Sequence, residues 1–157
     1  MTQMTKDAVI VTVHVEAPQE RAFDVFTSRF GSWWPMEHHI GLEPAVDAVI
    51  EPRVGGRWFE RAADGSECEW GRVLEWEAPT RVVLAWQLTP EFAYDPDPAM
   101  ATEVEVRFVA EGPSTTRVEL EHRGFEVHGE QGAAMREAVS APDGWGGIVQ
   151  RYVAAAA

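Results

Sequence analysis

The run DGWGGIVQRYVAAA, residues 143–156, decides how the rest of the chain is read. Trp145, Ile148, Val149, Tyr152 and Ala156 recur at intervals of three and four, so a helix through this segment carries one continuous apolar stripe. Asp143 offers a carboxylate to the free amides of the first turn and is the expected N-cap. Almost everything before this segment alternates with the period of two that marks half-buried strands. A sheet with one apolar face needs a cover, and this is the longest apolar helix the chain supplies.

Outward from that helix, Ala133–Ser140 reads as helical and Gly124–Gly132 as a loop. Thr115–Arg123 sets Val118 and Leu120 against Glu119, Glu121 and Arg123, and Thr102–Ala110 sets Val104, Val106 and Phe108 against Glu103, Glu105 and Arg107. Pro90–Pro98 is a loop. Arg81–Leu88, Glu67–Glu77, Arg57–Arg61 and Ala45–Pro52 are further strands, and Ala63-Asp64-Gly65-Ser66 is a hairpin turn because Asp-Gly tolerates positive φ. Pro35–Gly41 is a loop. Phe30–Trp34 is a short helix, and Pro18 opens another whose Ala22, Phe23, Val25 and Phe26 face inward. Ala8–Glu16 alternates as the first strand, and residues 1–7 are expected to fray. The order predicts an α+β fold: a curved antiparallel meander of about six to seven strands wrapped on the C-terminal helix, with one or two short helices after the first strand. Residues 1–157 make one domain. Where the helix covers only part of the concave face, a space remains.

The totals exclude several classes. A net charge of −13 argues against nucleic acid as a partner and against anionic membrane surfaces. No apolar run approaches about 18 residues, and the first residues lack a signal-peptide pattern, so the cytoplasm is the expected compartment. The single cysteine, Cys68, rules out an internal disulfide, and its acidic neighbours Glu67 and Glu69 disfavour a nucleophilic thiolate. Seven tryptophans form the outlying number and ask for more than a generic core.

Several stretches carry a family resemblance across nearly the whole chain, in the right order. They are Ala17-Pro18-Gln19-Glu20-Arg21-Ala22-Phe23, Trp33-Trp34-Pro35, Pro52-Arg53-Val54-Gly55-Gly56-Arg57-Trp58, Gly71-Arg72-Val73-Leu74-Glu75-Trp76-Glu77, His122-Arg123-Gly124-Phe125 and Gly144-Trp145. The chain resembles the START-like, SRPBCC helix-grip superfamily, in the bacterial branch related to the C-terminal domain of the heat-shock-protein-90 ATPase activator. The resemblance implies a deep cavity between sheet and C-terminal helix, often holding an apolar small molecule. The eukaryotic co-chaperone relies on an additional N-terminal domain, for which these residues leave no room, so a chaperone partner ranks last.

Within that frame His122 continues the inward register of Val118 and Leu120, as a cavity-lining group or a satisfied core histidine. Trp58 and Glu60 share one strand face, Phe59 and Arg61 the other. If Trp58 faces in, Glu60 and His122 become a candidate acid–base pair; if Phe59 faces in, Glu60 is solvated. Around Gly71 the inward frame stays open, and Gly71 itself admits the close approach of a backbone or a ligand. The expected ligand-binding set is Trp33, Trp34, Trp58, Trp86, His122, Phe125, Trp145, Val149 and Tyr152, with Trp145 near the mouth beside Phe125 and the Trp33-Trp34 segment. His38, His39 and Glu43 lack His-x-x-x-His spacing and a third ligand, so no metal is expected. No nucleophile elbow and no dinucleotide fingerprint occur, so no cofactor is expected. The leading reading is a binding domain for a small apolar or aromatic ligand. A cyclase- or hydratase-like enzyme using the same cavity follows, then a chaperone-associated interaction module. A homodimer stays open.

Overall fold

Seven strands form one curled antiparallel sheet in the order β1-β7-β6-β5-β4-β3-β2. The computed structural model describes residues 8–38, 40–41 and 43–157, so the expectations for residues 1–7 and for His39 fall outside the described residues. The elements run β1 (Val9–Val15), α1 (Gln19–Phe26), a 3-10 turn (Phe30–Ser32), β2 (Ala45–Ile50), β3 (Arg57–Ala62), β4 (Glu67–Glu77) and β5 (Arg81–Trp86). A 3-10 turn (Pro98–Met100), β6 (Thr102–Ala110), β7 (Thr116–Arg123), a 3-10 run (Phe125–Gln131), α2 (Gly132–Ser140) and α3 (Trp145–Ala156) complete the chain. Strands β2 to β7 are joined hairpin to hairpin, and β1 closes the order beside β7, pairing Val13 with Val118. This is the helix-grip architecture. Among the described residues no helix is long and apolar enough to cross a membrane.

The stripe on α3 does what its spacing requires: Trp145, Ile148, Val149, Tyr152 and Ala156 are its buried residues. Burying one such large side chain stabilises by about 1.5–3 kcal/mol. Polar bonds then fix the helix in place. The Tyr152 hydroxyl donates to the Ala22 carbonyl at 2.7 Å, and Arg151 Nε donates to the Trp33 carbonyl at 2.8 Å. Arg21 Nε donates to the Ala156 carbonyl at 2.8 Å, placing a cation on the negative end of the helix.

Two expectations need correction, and one question left open is answered. Asp143 does not cap α3: the cap residue is Gly144, without a side-chain cap bond. A Cβ at Gly144 would stand 2.2 Å from the Val139 carbonyl oxygen, so the chain passes too close to the end of α2 for a larger residue. Gly124–Gly132 is not a plain loop. It winds into 3-10 turns between Gly124 (φ 90°) and Gly129 (φ 59°), positive angles that glycine adopts freely and that no alternation pattern reports. The open question is the inward frame of β4, which the sequence leaves undecided because neither frame runs its full length. Trp58 pairs with Gly71 but Phe59 with Glu69, so Trp70 is an extra residue. Val73 pairs with Leu84 but Glu75 with Val83, so Leu74 is a second. Each bulge shifts the alternation by one. Trp70, Val73 and Trp76 therefore all join the core while Leu74 stays exposed.

The outer face of the sheet is a lattice of arginines and carboxylates. Glu105 sits at its centre, accepting from Arg81 Nε and Arg123 Nη1, each at 2.6 Å, with Arg107 Nη1 at 3.2 Å. Burial alone would raise the Glu105 carboxyl; the hydrogen bonds from Arg81 and Arg123 and the charges of Arg107 and Arg123 outweigh it and hold it at about 2. The described arginines of the sheet are thus engaged on the face opposite the core.

Candidate functional site, an indole-walled cavity

Strands β3, β4 and β5 bring Trp58, Trp70 and Trp86 to the concave face, the segment after α1 supplies Trp34, and the first turn of α3 supplies Trp145. Four of these indoles close a ring. Trp34 meets Trp70 at 5.0 Å between centroids, Trp70 meets Trp86 at 6.0 Å, Trp86 meets Trp145 at 5.7 Å and Trp145 returns to Trp34 at 6.1 Å. All four contacts are edge-to-face, the arrangement in which ring edges meet negative ring faces. The same four residues line a cavity of about 460 Å³, together with Ile40, Leu88, Val139 and Ile148. That volume lies in the range that takes a drug-sized molecule. At its edge stand the exposed Glu37, Phe92 and Asp143, so the cavity opens to solvent on that side. Phe92 holds a φ of 63°, a strained angle for a bulky residue, and its ring is 40% exposed beside the opening.

His122 lies behind this wall with no exposed surface. Its Nδ1 is 3.0 Å from Trp145 Nε1 and its Nε2 is 2.8 Å from Thr102 Oγ1. An indole N–H only donates, so Nδ1 accepts; the ring proton then sits on Nε2 and is donated to Thr102. Burial pushes the imidazole down to about 3. Both nitrogens are engaged, and His122 acts as the anchor that fixes the Trp145 ring. Phe125 packs on it at 4.7 Å.

Trp58 and Glu60 face in, and Phe59 faces out beneath the Arg57 guanidinium at 4.0 Å. The buried Glu60 carboxylate accepts from Ile40 N at 2.7 Å, Gly41 N at 3.1 Å and Trp70 Nε1 at 2.8 Å. It fixes the Trp70 ring as His122 fixes that of Trp145. Strands β4, β5 and β6 separate Glu60 from His122. Four strand spacings amount to about 19 Å along the sheet, and Trp70 and Trp86 stand between the two groups. The candidate acid–base pair, Glu60 with His122, does not converge on one ligand position.

Of the nine residues expected to bind ligand, Trp34, Trp86 and Trp145 line the cavity. Trp33, Trp58, His122, Phe125, Val149 and Tyr152 pack behind it. Trp33 turns toward α1 and α3, donating to the Val25 carbonyl at 2.9 Å with its ring 5.4 Å from that of Tyr152. Trp145 is a wall residue beside Trp34, and its ring shares the His122 imidazole with Phe125. The sequence reading missed Trp70, hidden by its bulge, and Ile40, Val139, Glu37, Phe92 and Asp143 as lining residues, most of which sit in loops or at element ends. Among the described residues no group of three metal-ligating side chains occurs.

The family model described as "Activator of Hsp90 ATPase homolog 1-like protein" matches residues 16–151. The chain belongs to this family. Solved structures extend the comparison. The Hsp90-activator-like chain is 37% identical to the anthrahydroquino-γ-pyrone synthase Txn09, covering 94% of its own length and 95% of that chain at a TM-score of 0.66. It is 31% identical to the self-sacrificing resistance protein CalC from Micromonospora echinospora, covering 95% and 93% at a TM-score of 0.70. Protein NE0264 from Nitrosomonas europaea, 14% identical with 95% and 93% covered and a TM-score of 0.64, shares the fold alone. No curated protein sequence matches. The fold common to this family is a ligand-binding one.

Proposed function

We propose that the cavity binds a planar aromatic, predominantly apolar small molecule. The observation that carries this reading is the wall of four mutually packed indoles along one side of a cavity of about 460 Å³. Rigid rings held edge-to-face offer flat apolar surface at little entropic cost on binding. Two of them are fixed from behind by buried polar anchors, His122 and Glu60. The name of the 37% identical relative, a synthase of a polycyclic aromatic pyrone, supports the same class of guest. Native mass spectrometry of freshly purified protein tests it. An adduct that leaves on denaturation and absorbs in the near ultraviolet or visible range is expected. A protein that carries none, and that takes up none of a panel of anthraquinones and flavones, defeats the reading.

A second reading, a cyclase acting on such a guest, is favoured by the same relative and by Glu37, His38 and Asp143 at the cavity edge. Any acid–base work would fall to these groups, since His122 has no free nitrogen. Mass change of a bound polycyclic phenol on incubation would separate turnover from storage.

A further inference from the structure

We infer that the guest of the indole ring carries a positive charge, as an aromatic ammonium compound does. This rests on the binding reading above and names the charge of its ligand. Three features of the cavity have the same electrostatic sign. Trp34, Trp70, Trp86 and Trp145 line the cavity, and tryptophan is the strongest aromatic partner for a cation. The Glu60 carboxylate accepts the Trp70 N–H at 2.8 Å, which adds electron density to that indole. Glu37 and Asp143 stand at the opening.

No compensating cation is present. Among the described residues that line the cavity there is no lysine or arginine, and the only basic side chain is His38, whose ring lies 6.1 Å from that of Trp34. The arginines of β3 to β7 lie on the outer face, where they pair with carboxylates. The chain as a whole carries −13, so the field at the opening attracts cations and repels anions. A guest with a free carboxylate would lose its hydration at this site and meet no cation in return.

Three probes with one ring system isolate the charge: (anthracen-9-ylmethyl)trimethylammonium, 9-anthracenemethanol and 9-anthracenecarboxylate. Their affinities are measured by calorimetry at pH 8, where an ordinary imidazole is neutral. The ammonium probe is expected to bind at least about tenfold more tightly than the carboxylate, with the alcohol between them. Raising the salt from 20 to 300 mM should narrow that ratio, because both edge carboxylates are exposed. The double substitution Glu37→Gln, Asp143→Asn should reduce the ratio about threefold. An alcohol that binds as tightly as the ammonium probe, or a carboxylate that binds most tightly, overturns the inference while leaving an aromatic site intact. Absence of binding by all three overturns the aromatic reading as well, and with it this one.

Discussion

Gly71→Ala is expected to cost about 3 kcal/mol or more and to lower the melting temperature by about 10 °C, if the chain folds at all. Gly71 sits on β4 opposite Trp58 on one side and Trp86 on the other, beside the Trp70 bulge. A Cβ there would lie 1.7 Å from the Ala85 carbonyl oxygen and 2.9 Å from its carbon. Both are backbone atoms of a central strand, so no rotamer change relieves the clash; β4 and β5 must move apart and break ladder bonds. The close approach foreseen at this glycine is that of a backbone. Gly146→Ala is the control. On α3 a Cβ at Gly146 meets nothing within 4 Å, so the change should leave stability unchanged or raise it by up to about 1 kcal/mol. Thermal melts of the two variants check the pair, and a Gly71→Ala protein melting within about 3 °C of wild type would contradict this packing.

Acidification is expected to destabilise the protein in two steps, the first owned by His122. An unfolded histidine titrates near 6.5, whereas burial holds His122 at about 3 in the fold. The unfolded chain therefore takes up a proton that the native chain refuses. This contribution is complete above about pH 6.5 and is lost as the pH falls toward 3, at about 1.4 kcal/mol per pH unit and on the order of 5 kcal/mol in all. The second step belongs to the arginine-paired carboxylates of the outer face, Glu67, Glu69, Glu119 and above all Glu105. With a native value near 2 against an ordinary 4.5, Glu105 makes a contribution that is complete above about pH 4.5 and is lost below it. Between pH 6.5 and 4.5 only the first step operates. There the melting temperature should fall by about 3–5 °C per pH unit in the wild type. In His122→Gln, less stable at pH 7 because Trp145 and Thr102 lose their partner, the curve should be nearly flat. Equal slopes in the two proteins would show that His122 is not held neutral.

Much of this architecture is legible in the sequence because its signals are periodic. The α3 stripe names its five buried residues, and β4 and β6 run over the spans their turns delimit. The inward turn of His122 follows from Val118 and Leu120 by alternation alone. The cavity wall is harder to read, for three physical reasons. A bulge adds a residue that alternation cannot count, so Trp70 enters the wall from a strand with two frames. An inward tryptophan has the same pattern whether a cavity or another side chain lies in front of it, which is why Trp58 and Trp33 look like wall and are core. An inward polar residue advertises burial but not its partners: Glu60 and His122 read as a reactive pair, and the structure spends each on fixing one indole.

The account stands on the cavity being the place where an aromatic guest binds, and one titration addresses that directly. Anthraquinone is added to wild-type protein and to Ala138→Trp, in which an exposed residue on the cavity side of α2 becomes an indole that fills the space. Tryptophan emission of the wild type should be quenched saturably at one molecule per chain, and the variant, with an unchanged melting temperature, should bind at least about tenfold more weakly. Non-saturating quenching in the wild type, or equal affinity in a folded Ala138→Trp protein, would contradict the assignment of the indole-walled cavity as the binding site.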